Sequence, residues 1–461
     1  MISFGTVMER AFHGPICTER DFDLRIFVPN LRKVVEKYDI KYDPQNPVPA
    51  DDDLADRVWE AAMEFLVETG VYCLDTERRI LFTREEIEGA IASAPVNVVY
   101  GEGKDARVMP RRFPEDETPP WCSGSGAGPV SSELNLINIV KTYAEDPLSD
   151  GITAPCLTNL DGQPLVADSP LGLEGAIRTI LLTREALRRA GRPGMPVVNE
   201  VASAIRAPEH IAGHRFGNPK TDFLEIGTVH ELKVDLDALN KVAYAQAVGN
   251  LTFAENGVIL GGFAGGPVGV AVVSAAYNPV DLLVIRGVAQ HPFAVPIEMG
   301  TTSSRNTIWA RSVANQATAR HSPLSIVGPV YSMAGPMTKM SYYEYGAAII
   351  ASVVSGGSVE IAPPSRGVIV DNSGPLENIF GNGIAHSAVG MSRKDANKIV
   401  KALLDKYESR LKDPPAGKKF PEYFNLAAGT PTRECIELHR EVRKEMGNEF
   451  GLRLPLTSPY L

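Results

Sequence analysis

Glu255 ends an apolar alternation through Leu251 and Phe253, and a carboxyl in that position can do two kinds of chemistry. Ionised, it holds a cation; raised in pKa by burial, it is an acid. Tyr331 closes another apolar run and adds a phenol that donates a hydrogen bond and a ring that faces a cation. Asn199 and Glu200 follow the apolar run Met195–Val198, and Glu298 follows a further one. For each, the plain alternative is a rim residue bonded to a neighbouring loop, and the sequence alone leaves both readings open.

Three other features look like motifs. His210 and His214 are four apart beside Glu209, a spacing that suits zinc on a helix. The metalloprotease pattern puts its glutamate after the first histidine, however, and Pro208 and Gly213 interrupt this segment, so metal is discounted. Gly124-x-Gly126-x-Gly128 has neither dinucleotide nor P-loop spacing, and reads as a tight loop. The run Gly261–Gly266 reads as a long, irregular loop whose backbone a flat, bulky ligand could approach closely.

Such groups act together only if a fold gathers them. A helical pattern over Gly172–Arg189 stops at Gly191-Arg192-Pro193-Gly194, and the Met195–Val198 strand begins at once. Helix, turn, buried strand and polar strand end are one β/α unit. Eight candidate strands are Trp121–Ser123, Gly151–Thr158, Met195–Val198, Asp222–Ile226, Asn250–Glu255, Ala294–Met299, Ser325–Tyr331 and Val359–Pro363. Helices between them include Leu236–Ala247, Ala271–Gln290 and Tyr342–Val354. This predicts an α/β fold, a (β/α)8 TIM barrel, whose strand ends form the working face. An open doubly wound sheet is the alternative, disfavoured because no nucleotide fingerprint is present.

Before the barrel, Asp21–Tyr38, Asp52–Glu68 and Thr83–Ala94 have helical spacing, the last opened by a capping box, Thr83-x-x-Glu86. After it come Lys394–Leu411 and Thr432–Glu445. The predicted division is an N-terminal helical extension at 1–115, a barrel at 116–392 and a C-terminal helical appendage at 393–461.

A net charge of −10 argues against a polyanion-binding surface. Five scattered cysteines without a Cys-x-x-Cys pair suggest reduced thiols and a cytoplasmic setting. The polar N-terminus predicts no signal peptide, and no run reads as long enough to span a bilayer.

Several stretches together carry a more specific signal: Val71-Tyr72-Cys73-Leu74-Asp75-Thr76, Ala190–Met195, Glu231–Ala238, Gly261–Gly266, Ala334-Gly335-Pro336 and Pro415–Lys418. Through them the chain resembles the monomethylamine:corrinoid protein methyltransferase family, from about Asp21 to Arg440. The resemblance implies a TIM barrel with helical additions, assembled as a homohexamer. It also implies methyl transfer to the Co(I) corrinoid of a separate protein docked over the barrel mouth, with no cofactor tightly bound to this chain. The corrinoid-facing surface would include Gly124, Gly126, Gly262 and Gly265.

One departure bears on substrate. The family's pyrrolysine, whose imine captures the amine, falls on Val198 here, so covalent capture is lost. A family glutamine falls on Pro329 and an acidic neighbour on Val201, while the active-site glutamate and tyrosine persist as Glu255 and Tyr331. The expected substrate pocket therefore comprises Val198, Asn199, Glu200, Val201, Glu298 and Pro329, with Glu255 and Tyr331 as catalytic groups. A quaternary amine leaves as a neutral amine and needs no covalent activation, so it is the favoured methyl donor. A methyl ether or thioether, a metal-dependent barrel hydrolase and a non-catalytic binding protein are the alternatives.

Overall fold

Eight parallel strands close on themselves in the order β3-β4-β5-β6-β7-β8-β1-β2. They are β1 Cys122–Ser125, β2 Gly151–Thr153, β3 Val197–Val198, β4 Phe223–Gly227, β5 Leu251–Leu260, β6 Ala289–Pro296, β7 Ser325–Val330 and β8 Ser358–Ile361. This computed structural model describes residues 1–198, 206–364 and 368–461. Asn199, Glu200 and Val201 lie outside the described residues.

The second strand ends at Thr153 rather than Thr158, and two further differences from expectation matter for the site. β5 does not end at Glu255 but continues to Leu260, pairing with β6 from Phe253↔Ala289 through Leu260↔Pro296. β6 begins at Ala289, inside the span predicted as the end of a helix, and stops before Glu298. The preceding Pro267–Val280 helix is buried along almost its whole length, so no polar face gives a period from which to find its end. It runs into a π-turn, Asp281–Ile285, closed by Arg286 in the left-handed region at φ 62°. Pro267–Ile285 is, contrary to the sequence reading, long and apolar enough to cross a membrane, but nearly all of it is buried inside the protein as a core helix.

The extension closes the bottom of the barrel. A hairpin of Val98–Tyr100 and Arg107–Met109 brings Tyr100 under the lumen, where its ring stacks on Phe223 at 3.7 Å and meets Trp121 edge-on at 5.6 Å. Phe253, Ala289, Val327 and Val198 complete this apolar layer. Further up the chain, the capping box of the Arg84–Ala92 helix forms as expected, with Glu86 N–H donating to Thr83 Oγ1 at 3.2 Å.

The extension also reaches the other end of the barrel. Val71–Cys73 pairs in parallel with Lys233–Val234 from the segment after β4. Lys233 is buried there between Glu19 at 2.8 Å and Asp23 at 2.9 Å, and its ammonium lies 5.7 Å from the ring centre of Phe263 in the glycine-rich loop. No disulfide links the five buried cysteines.

Candidate active site

Strand alternation points every second residue inward. Above the apolar layer this places Glu225 of β4, Glu255 of β5, His291 of β6 and Glu360 of β8 around the lumen. Glu225, His291 and Glu360 are each at most 2% exposed, while Glu255 is half-buried and faces the cavity described below. His291 Nδ1 donates to Glu225 Oε1 at 2.5 Å, and Nε2 faces Glu360 Oε2 at 3.1 Å. The imidazole lies flat against Phe253, with ring centres 4.8 Å apart.

A histidine between two carboxylates has acceptors on both nitrogens, which calls for a proton on each. Burial opposes the resulting charge, but Glu360 and Glu225 outweigh it and hold the His291 pKa well above the ordinary range. Burial also works against charge on Glu360, yet His291 and the Ser125 and Thr153 hydroxyls draw its pKa below the usual value. Glu255 differs. Burial, then the neighbouring Glu225, push it up to about 8, despite the opposing pull of His291 and Lys241.

Ligand atoms of Glu225, Glu255 and His291 lie within 4.8 Å of one another, close enough to surround a small cation. The 2.5 Å bond from His291 to Glu225 fills that geometry with a proton, so the cluster reads as an ion-pair network.

A cavity of about 240 Å³ opens beside this cluster, with Glu225 and Glu255 in its wall. Arg206, His210, Asp235 and, from the Leu236–Val248 helix, Asp237 and Lys241 are the other titratable residues of its lining among those described. Its basic groups are engaged: Lys241 pairs with Asp237 at 3.0 Å, and Arg206 lies between Asp168 at 3.3 Å and Asp237 at 3.7 Å. Asp235 caps the helix through the Ala238 N–H at 2.8 Å. Among the described residues acids outnumber bases around the cavity, and the field of these groups favours a cation.

Of the other expected pocket residues, Tyr331 directly follows β7 and meets Phe293 across a ring distance of 6.4 Å. Its backbone is pinned by Thr302, whose Oγ1 accepts from the Tyr331 N–H at 2.9 Å. Pro329 is buried in β7, and its carbonyl accepts from Arg311 at 2.6 Å. Val198 ends β3 in register with Phe223, in the apolar layer below the charged one. Glu298 is exposed beyond β6, because the strand lies earlier in the chain than expected.

The four glycines divide. Gly124 and Gly126 are buried, and the space for their absent Cβ atoms is taken by Tyr143 and by Pro155, so packing explains both. Gly262 and Gly265 lie on the loop after β5, which is shorter than expected because the strand runs on to Leu260. The loop is tightly bonded, with Gly261 N–H donating to the Gly265 carbonyl at 2.8 Å. His210, discounted as a zinc ligand, instead lines the cavity, while His214 bonds Asn250 and is driven down to about 4 by burial.

His291, Glu225 and Glu360 were missed because each stands inside a strand, where the reading sought polar groups at strand ends. The available signal was a single acid within an apolar run, as in Phe223-Leu224-Glu225 and Val359-Glu360-Ile361.

The family model for monomethylamine methyltransferase MtmB matches residues 3–452. The chain belongs to the MtmB family. A monomethylamine methyltransferase of Methanosarcina acetivorans is 30% identical over 446 residues, 96% of this chain and 97% of the relative. Its counterpart in Methanosarcina mazei is 29% identical over 447 residues, again 96% of this chain and 97% of the relative. The crystal structure of the Methanosarcina barkeri MtmB superposes with a TM-score of 0.94 at 27% identity, covering 98% of each chain. Family membership makes the protein a methyltransferase, and the closed barrel agrees with that of the solved MtmB fold.

Proposed function

We propose that this MtmB-family methyltransferase moves a methyl group from a small methylated cation, favoured as a quaternary amine, to the corrinoid of a partner protein. The observation that carries the reading is the acid-rich cavity around Glu255. Among the described residues, no hydrogen bond or ion pair engages the Glu255 carboxyl, and the basic groups nearby are already paired. A cationic substrate supplies the missing partner.

The chain's residues bind and orient. Glu255 attracts the cationic nitrogen; the His291 network keeps Glu225 and Glu360 in fixed positions behind it; the apolar layer from Val198 to Phe253 bars water from below. When docked, the corrinoid supplies the Co(I) nucleophile that takes the methyl group. The electron pair of the breaking carbon–nitrogen bond stays on nitrogen, which leaves as a neutral amine without needing a proton. Rate enhancement then comes from placement and desolvation.

Surface features around the mouth fit such a partner. Gly265 and Gly266 have open space where a side chain would be, and Phe263, Ile297 and Val368 are exposed apolar residues on the segments after β5, β6 and β8. The homohexamer that the resemblance implies belongs to the same reading, as does the cytoplasmic setting suggested by five unlinked cysteines; light scattering tests the first.

A specific observation keeps a second donor class in view. A carboxyl that holds its proton to about pH 8 can act as general acid to the leaving oxygen or sulfur of a methyl ether or thioether. Screening methylated amines, ethers and thioethers with a reduced corrinoid protein, followed by loss of the Co(I) absorption, separates the classes. Rapid reaction with a quaternary amine and none with monomethylamine is the expected result. Robust reaction with monomethylamine would refute the reading, and no reaction with any donor would favour a binding protein.

A further inference from the structure

We infer that Glu344, buried on the helix after β7, is a positioning residue: it ties the segments that follow β6 and β7 to each other and so holds Tyr331 at the barrel mouth. The inference rests on the expectation that Tyr331 serves methyl transfer, and it adds the group that fixes its place.

Glu344 is the only acidic residue of the helix Lys339–Val354, and it is fully buried. Its carboxyl is met by donors from two segments. Oε2 accepts from the Ser303 hydroxyl at 2.5 Å, after β6, and from the Met333 N–H at 2.7 Å, after β7. Oε1 accepts from the Ala334 N–H at 2.9 Å. Tyr331 lies between these anchors. Its N–H donates to Thr302 Oγ1 at 2.9 Å, and its carbonyl accepts from Thr301 Oγ1 at 2.8 Å and from the Thr302 N–H at 3.3 Å. Thr301 is joined in turn to Ser303, by hydroxyls 2.7 Å apart and by the Ser303 N–H at 3.1 Å. One path of hydrogen bonds therefore runs from Glu344 through Ser303 and Thr301 to the Tyr331 carbonyl. A second tie reaches Tyr331 along the chain from Met333. From the helix Arg393–Tyr407, the Tyr407 hydroxyl donates to the Ser303 carbonyl at 2.6 Å and braces the same segment.

Burial works against charge on Glu344 and pushes its pKa up to about 7, while Ser303 and the two N–H groups draw it back. Hydrocarbon would fill the space without that cost. It would also leave the Ser303 hydroxyl and two N–H groups without this acceptor, and the two segments without their join. What the network fixes is the residue just past the end of β7, where the Tyr331 ring meets Phe293. An amide of the same size turns its NH2 toward a backbone N–H whichever way it is flipped, so Glu344→Gln keeps the volume and breaks one arm.

Fluorine NMR of the full chain labelled with fluorotyrosine tests the placement, the Tyr331 line being assigned by its loss in Tyr331→Phe. A single Tyr331 line is expected in the wild type, and a shifted or doubled one in Glu344→Gln. Thr301→Val, a milder change that cuts the path further along, should alter the same line and decides the matter if Glu344→Gln does not fold. An unaltered line in the folded variants would overturn the inference. Turnover is read with tetramethylammonium as donor and a reduced corrinoid protein as acceptor. Glu344→Gln should lower kcat about 10- to 100-fold, the scale of a small misplacement, with KM little changed. Combined with Tyr331→Phe it should cost little more than Tyr331→Phe alone. Unchanged turnover in Glu344→Gln, or losses that multiply in the double variant, would overturn the inference. Unchanged turnover in Tyr331→Phe would instead refute the role of Tyr331 on which it rests. If the wild type does not use this donor, the cationic-donor reading fails and the fluorine line still decides the placement.

Discussion

The two halves of the lumen are built from the same strands by opposite means. Below, Phe223, Phe253, Tyr100 and Trp121 fill the space with rings in contact, and nothing there can change charge near neutral pH. One strand step above, Glu225, His291 and Glu360 fill the corresponding space with charge held in balance by hydrogen bonds. Hydrocarbon stabilises the lower half without specifying any chemistry. The upper half is costly to bury and is stable only as a complete set, so removing one member exposes the others. Glu255 sits at the edge of that set, half-buried in the wall of the cavity.

Replacing His291 with leucine is the most severe way to break the upper half. It strands two buried carboxyls, and a loss of about 3–5 kcal/mol in denaturant stability is expected, together with loss of methyl transfer. Phe223→Ala breaks the lower half. Its cost should be similar, about 3–5 kcal/mol, but each molecule that remains folded should still bind a methylated ammonium ion. Equal loss of binding in the two variants would mean that the halves are not functionally distinct.

Glu255→Gln sharpens the contrast rather than destroying it. Cation binding should weaken by about 1.5–3 kcal/mol, the scale of a hydrogen bond to a charged group, as read by calorimetry above pH 8. A turnover loss without weaker binding would point to the ether or thioether donor instead. The same carboxyl sets a pH trend in stability. In the folded protein it keeps its proton to about 8, whereas the ordinary value is 4.5, so the native state binds the extra proton between those limits. Stability contributed by this group therefore falls as pH rises through that window. Denaturation at pH 5.5 and 8 should show the decline in the wild type and a flatter response in Glu255→Gln.

The smallest effect on stability is expected at the mouth. Gly265 has φ 69° and Gly262 faces Ile259 at 3.1 Å, so bulky replacements there would disturb the loop itself. Gly266 has neither constraint, and Gly266→Phe should slow transfer to the corrinoid protein while leaving thermal stability and cation binding within error. Unchanged transfer would place the docking face elsewhere.

Much of the fold was legible because its β/α rhythm is punctuated: Gly191 to Gly194 ends one helix, and Thr83 with Glu86 starts another. β6 was not, because a helix that is apolar all round and turns through a π-segment carries no periodic mark of its end. That single shift sent attention to exposed Glu298 and away from His291. Glu255 was legible as chemistry but not as a member of a cluster. Its partners come from strands roughly 30, 36 and 105 residues away, and only closure of a barrel with a fixed stagger brings them together. Packing glycines such as Gly124 are indistinguishable in sequence from glycines that leave room for a ligand.

The burial of Lys233 between Glu19 and Asp23 has a consequence for how the molecule is made. Its partner Asp23 lies 210 residues earlier, and the same ammonium lies beneath Phe263, so the finished mouth depends on a segment synthesised well before it. That segment packs on its own extension, where Phe22 stacks on Tyr72 at 5.0 Å, but its ion pair with Lys233 forms only once the segment after β4 has been synthesised. Glu19 and Asp23 gain this buried partner late, and barrel closure waits longer still for β8 to reach β1. The large sequence separation of these contacts makes this a slow-folding topology.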